Sequence, residues 1–120
     1  MSQKESTLAS FKFAGHGIAD AFKSEPNLRI HCLIALIAIF AAYFLGFTLT
    51  EWAILVITIA LVLIFELVNT CIEKITDIVS PEVSEKARVI KDISAGIVLI
   101  SALGAVVEGL LLFLPKILQF

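Results

Sequence analysis

Charge is scarce in this chain. Asp, Glu, Lys and Arg together make up 17% of the 120 residues, whereas 59% are hydrophobic, and the mean hydropathy is +1.01. That share of apolar residues exceeds what soluble domains carry and favours a membrane class over soluble packing. No clustered basic stripe exists, and the net charge is −2, which argues against a nucleic-acid partner because nothing is arranged to neutralise phosphates. The two cysteines, Cys32 and Cys71, lack metal-ligand or disulfide-framework spacing, so each is expected to be a buried free thiol. The opening MSQKESTLASFKFAGHG has no compact apolar core followed by a small-residue cleavage site, so no removable signal peptide is expected. A G-x-x-x-x-G-K-[ST] loop is missing, and Gly15-His16-Gly17 is too short and wrongly placed to be a dinucleotide fingerprint. Repeats, low-complexity tracts and a second domain are also lacking, which leaves a single domain over residues 1–120.

What the chain has is long apolar runs. Cys32 to Thr50 gives nineteen positions without a charge, Trp52 to Phe65 fourteen, and Ile93 to Val107 fifteen, with seven more after Glu108. A helix needs about 20 mostly apolar residues to cross ~30 Å of hydrocarbon. The expected architecture is therefore all-α, with three transmembrane helices at about 30–50, 52–73 and 93–115. Ahead of them, residues 6–24 place Leu8, Phe11, Ile18 and Phe22 on one side of a helical wheel, and Lys12, His16, Asp20 and Lys23 mostly on the other. This predicts an amphipathic surface helix, bent or interrupted near Gly15 and Gly17. Glu25-Pro26 turns the chain before the first span, Trp52 reads as an interfacial belt residue, and Ser80-Pro81 breaks the second helix. PEVSEKARVI, residues 81–90, reads as a loop or short helix.

The basic residues sort by side. Lys4, Lys12, Lys23 and Arg29 precede the first span, and Lys74, Lys86, Arg88 and Lys91 lie between the second and third; the turn near Thr48 to Glu51 has none. By the positive-inside rule the N-terminus and the 74–91 segment face the cytoplasm and the C-terminus faces out.

One stretch breaks the apolar pattern. In FELVNTCIEK (65–74) and the residues after it, Glu66, Glu73 and Asp77 fall at i, i+7 and i+11, within about 40° on a helix, with Asn69 and Thr70 flanking them. A carboxylate in a membrane span costs about 2.5–3.5 kcal/mol on insertion scales, so this stripe is expected to face protein, a metal or a polar cavity. Glu66 lies about 10 Å further along the axis than Glu73, which puts it beneath the headgroups if Glu73 is interfacial. Glu25, just before the first span, and Lys91-Asp92, just before the third, enter from the same side. Carboxylates such as Glu25 and Glu73 suit Mg²⁺, which bridges protein carboxylate to substrate phosphate; Lys91 suits a phosphoryl group. A deeper carboxylate level with a lipid hydroxyl could take its proton as a general base. From the residues alone, a lipid kinase, a small carboxylate-driven transporter and an assembly subunit all stay open.

The strings F-E-L-V-N-T-C-I-E-K-I-T-D-I-V (65–79) and A-R-V-I-K-D-I-S-A-G-I-V-L (87–99) resemble the prokaryotic diacylglycerol kinase family, which includes undecaprenol kinases. The segment S-F-K-F-A-G-H-G-I-A-D-A-F-K-S-E-P-N-L-R-I-H (10–31) is similar to that family's surface helix and its acidic entry to the first span. Asn27, Arg29 and His31, with Glu51-Trp52, look more like the undecaprenol branch. The resemblance implies a homotrimer of three-span subunits in the bacterial plasma membrane, with active sites between subunits, ATP and Mg²⁺ entering from the cytoplasm, and a lipid alcohol as acceptor. It implies that Glu66 is the catalytic base, Glu25 and Glu73 are the metal ligands, and Asn69 is an active-site polar residue near the phosphates. Lys91 matches the phosphate-contacting lysine, Asp77 and Asp92 match acidic positions of the nucleotide region, and Gly17 matches a glycine that permits close approach near the nucleotide.

Three residues stand outside that match. Glu108 shares a heptad line with Ser94 and Ser101; it reads as a residue near the outer boundary or at a helix interface, or as a second carrier beside Glu66 in a proton- or cation-coupled transporter. His31 is expected to cap or pack at the interface rather than bind metal, and His16 gives only a weak indication of nucleotide proximity.

Overall fold

The computed structural model describes residues 3–119 and is entirely helical among them: α1 (Gln3–Ser24), α2 (Pro26–Phe44), α3 (Leu49–Val79) and α4 (Glu85–Leu118). The three later helices are each long and apolar enough to cross a membrane. At about 1.5 Å per residue the 34-residue α4 is about 51 Å long, close to the longest dimension of the molecule, 53 Å, whereas the shortest is 20 Å. The chain is thus a slab about two helices thick. Its principal contact is between α3 and α4; α2 leans on α3, and α1 touches α2 and α3.

Each boundary has a local cause. Glu25 is extended (φ −115°, ψ 103°) because Pro26 follows it, and Pro26 opens α2. The elbow between α1 and α2 is held by Arg29, whose Nη1 donates to the carbonyls of Phe22 and Lys23, each at 2.8 Å, satisfying the C-terminal carbonyls of α1. At the other end of α2 the chain turns through Gly46, whose φ is +70°. The Gly46 amide donates to the Tyr43 carbonyl and the Phe47 amide to the Ala42 carbonyl, the paired bonds of a Schellman ending. Thr48 and Glu51 then form a capping box that starts α3, and the Ser84 hydroxyl accepts from the Ala87 amide at 3.1 Å to start α4.

These causes correct several expected boundaries. The first span ends at Phe44 rather than near residue 50, because the Gly46 ending is followed at once by the Thr48 cap. α1 is continuous through Gly15 and Gly17; a helical glycine costs about 1 kcal/mol, and that does not break it here. α3 ends at Val79, at the expected Ser80-Pro81 break, but α4 already begins at Glu85, so the expected loop or short helix over 81–90 shrinks to residues 80–84 and the remainder joins the third span.

The interior is inverted relative to a soluble domain. Ala21, Leu28, Ala42, Phe47, Leu55, Val62 and Leu112 are the buried apolar side chains, while Ile, Leu, Val and Phe are exposed along every helix. Ala42, Phe47, Leu55 and Leu112 form a small core with Ala38, Leu45, Trp52, Ile59 and Phe113 around it. Trp52 is half-buried, edge-on to Phe47 at 6.0 Å between ring centroids. Lys116 closes this end by pairing with Glu51 at 3.1 Å. Both thiols are free, but Cys32 is half-buried and Cys71 is exposed, correcting the expectation that both are buried: Cys71 lies on an outward face of α3, where an apolar thiol meets hydrocarbon without penalty. Ala in place of Gly46 places a Cβ in the left-handed region, which costs about 1–2 kcal/mol. Gly46→Ala is therefore expected to lower the thermal unfolding midpoint in detergent, followed by circular dichroism, without loss of helix content.

Candidate active site

Polar burial concentrates in the inner half of the α3–α4 pair. Glu66 is 1% exposed, and Asn69, Thr70, Thr76 and Ser94 are buried with it. The two threonines are satisfied locally: the Thr70 hydroxyl donates to the Glu66 carbonyl and that of Thr76 to the Ile72 carbonyl, an ordinary arrangement within a helix. The other three polar side chains belong to a wider cluster.

Ser94 on α4 donates its hydroxyl to Asn69 Oδ1 at 2.7 Å, and Asn69 Nδ2 donates to Glu73 Oε1 at 3.3 Å. Because its oxygen is taken by Ser94, the Asn69 amide must present nitrogen toward Glu73. The relay Ser94 to Asn69 to Glu73 orients the carboxylate from a neighbouring helix. One turn inward from Asn69, Glu66 approaches His31 of α2, with 3.6 Å between Nε2 and Oε2. Glu25, at the α1–α2 elbow, and Glu73 are both near enough for their charges to act on Glu66. Glu25 and Glu73 thus act on Glu66 as expected, whereas Lys91 and Asp92 pair elsewhere.

Further along α3, at about 16 Å from Glu66 by helical rise, Asp77 is two-thirds exposed and pairs with Lys91 Nζ at 2.5 Å across to α4. Asp92 pairs with Arg88 Nη1 at 2.6 Å, and Arg88 also pairs with Glu85. This second group lies at the exposed end next to the 80–84 loop, where Asp77, Ser80, Ser84, Arg88, Lys91 and Asp92 line one concavity of about 250 Å³. Gly17 lies along α1, and beyond its own helix backbone and chain neighbours nothing among the described residues comes within 4 Å of a Cβ placed there.

Among the described residues no group of three or more His, Cys, Asp or Glu side chains forms a metal cage. Among the described residues Glu25 makes no side-chain capping bond, and Glu73 is oriented by Asn69. Two oxygen donors of this kind fit Mg²⁺, which keeps several waters and shares the rest of its shell with substrate phosphates.

Sequence reasoning missed three residues. Ser94 was noted only as a member of a heptad line, since its bond to Asn69 spans 25 residues. Arg29 gave no capping signal because its acceptors belong to the preceding helix. His31 was expected to cap or pack, and the structure sets it instead against Glu66; its position six residues after Glu25 carried no local hint of that pairing.

These features define a small helical protein with three helices long and apolar enough to span a membrane, a buried carboxylate and an exposed cluster of paired charges further along. The sequence comparisons place that class. A family model described as prokaryotic diacylglycerol kinase matches residues 12–113, and the chain belongs to that family. It is 39% identical over 113 residues to a diacylglycerol kinase of Synechocystis sp., covering 93% of this chain and 65% of the relative. It is 32% identical to the undecaprenol kinase of Bacillus subtilis, covering 90% of this chain and 88% of the relative. It is 33% identical to a diacylglycerol kinase of Haemophilus influenzae, covering 88% and 92% respectively. The chain thus spans slightly less than two thirds of the Synechocystis protein and most of the other two.

Replacing Ser94 by Ala leaves Asn69 Oδ1 buried without its donor, which costs about 1–3 kcal/mol. Ser94→Ala is expected to lower unfolding stability by that amount in detergent, and Ser94→Thr, which retains a hydroxyl, to lower it less.

Proposed function

We propose that this chain is an ATP- and Mg²⁺-dependent lipid kinase that transfers the γ-phosphate to the hydroxyl of a membrane lipid alcohol, undecaprenol or diacylglycerol. The observation that carries this reading is Glu66: a fully buried carboxylate with an unpartnered oxygen, deep on the same helix that brings Glu73 and Asp77 toward water. Membership of a family named for a lipid kinase, and relatives named for both alcohols, support it. The active site faces the cytoplasm of a bacterial plasma membrane, the C-terminus faces out, and α1 lies on the inner surface with its exposed Leu8, Phe11 and Ile18 against the bilayer. Three copies assemble as a homotrimer, with sites completed between subunits.

In the reaction the lipid oxygen bonds to the γ-phosphorus while the bond from that phosphorus to the β–γ bridging oxygen breaks, releasing ADP. The alcohol's proton passes to Glu66, at the depth where the hydroxyl enters from the bilayer. Glu25 and Glu73 would hold Mg²⁺, which would supply positive charge to the phosphate oxygens. Asn69 fixes Glu73 and contacts the phosphate side. Lys91 exchanges Asp77 for a phosphate oxygen as the nucleotide binds; Asp77 and Asp92 border the nucleotide, and the open space beside Gly17 lets it approach the α1 backbone. A transporter using Glu66 and Glu108 is not favoured, since the relatives are named as kinases.

Purified protein in mixed micelles with ATP and Mg²⁺ is expected to phosphorylate undecaprenol or diacylglycerol, and Glu66→Gln to lower kcat by about 100-fold or more. Failure on both lipids, or a Glu66→Gln variant equal to the parent, would overturn this function.

A further inference from the structure

Glu66 Oε2 is a buried side-chain oxygen that no donor among the described residues reaches. The imidazole of His31 stands opposite, with Nε2 at 3.6 Å. That gap exceeds the usual 2.7–3.2 Å of a direct N–H to O hydrogen bond. A single hydroxyl oxygen placed off the line between them, about 2.8 Å from each, would satisfy both at once. His31 is 22% exposed and Glu66 1%, so the gap is approached from the His31 side, with Glu66 Oε2 buried behind it.

The direction of approach is also set. His31 lies on the wall of a groove of about 360 Å³ between α2, α3 and α4, whose other walls include Ile34, Ala38, Leu55 and Val62. The groove is hydrocarbon apart from His31, Thr58 and Glu108, and the Thr58 hydroxyl is already donated to the Ile54 carbonyl. A molecule whose body is apolar and whose tip is a hydroxyl would meet His31 on the wall of this groove, with Glu66 Oε2 3.6 Å behind its Nε2.

We infer that His31 is an acceptor-binding residue: its Nε2–H donates to the oxygen of the lipid alcohol while the alcohol donates its own proton to Glu66 Oε2. One lone pair of the alcohol oxygen is then held by His31 and the other remains directed at phosphorus. His31 keeps its proton throughout; the transferred proton goes to Glu66. This rests on the reading of Glu66 as the base of a lipid kinase. The role concerns the acceptor alone, so it separates lipid from nucleotide kinetics.

The test compares His31→Phe, which keeps a ring and removes the donor, with His31→Gln, which restores an N–H, each in the full-length protein in mixed micelles. His31→Phe is expected to raise KM for the lipid alcohol about tenfold or more, with KM for MgATP within about twofold of the parent, and His31→Gln to recover most of the loss. If the ring variant does not yield folded protein, His31→Leu is compared with His31→Gln on the same terms. A lipid KM that does not move, a change confined to MgATP, or a Gln variant no better than the donor-free one overturns the assignment. Glu66→Gln measured alongside distinguishes the failures: full activity there sinks the base itself, whereas an inactive Glu66→Gln beside a parental His31→Phe sinks only the role of His31.

Discussion

A polar side chain in hydrocarbon has no water to turn to, and the rest of this structure follows from that constraint. Apolar side chains can face outward at no cost in a bilayer, and in this protein most do. Burial is therefore reserved for groups that need shelter, which is why Asn69 and Ser94 are buried between α3 and α4 and Glu66 is buried facing His31 of α2. The hydrogen bond from Ser94 to Asn69 links the two longest helices through a polar contact where a soluble protein would use leucines. Small helix-to-helix bonds of this kind contribute on the order of 1 kcal/mol in membranes, enough to fix the rotation of α3 about its axis and so the direction in which its carboxylates point.

Fixing that rotation separates two environments along one helix. At the deep end Glu66 meets His31, which lines an apolar groove; about two turns further along Glu73 is half-buried and held by Asn69; beyond it Asp77 is exposed and pairs with Lys91. A phosphoryl donor is charged and cytoplasmic, whereas an alcohol acceptor is greasy and arrives sideways. Under the proposed function, this graded stripe of carboxylates would offer Glu66 to the acceptor and Glu73, with Glu25 and Lys91, to the charged donor without a nucleotide-binding loop.

Much of this was legible in the sequence. The i, i+7, i+11 spacing of Glu66, Glu73 and Asp77 is a one-helix property, so periodicity alone gave their common face, and the apolar runs gave the three long helices. Ends and partners were harder to see. The early stop of α2 depends on a Schellman ending at Gly46 and a cap at Thr48 that together override an apolar run continuing to Thr50. The partners of Asn69 and Glu66 come from other helices, and the rotations that bring Ser94 and His31 to them are tertiary. Lys116 shows the same limit: its pairing with Glu51 spans 65 residues of sequence and arises because the α2–α3 turn folds beside the end of α4.

The central claim is that depth along α3 divides the labour, with Glu73 serving the metal and nucleotide and Glu66 serving the acceptor. Binding of Mn²⁺·ATP, with Mn²⁺ standing in for Mg²⁺ and followed by electron paramagnetic resonance, tests that division in the absence of any lipid turnover. Glu73→Gln is predicted to weaken Mn²⁺·ATP binding by about tenfold or more, while Glu66→Gln leaves it within about twofold of the parent. Equal weakening by both substitutions, or weakening by Glu66→Gln alone, would contradict the account.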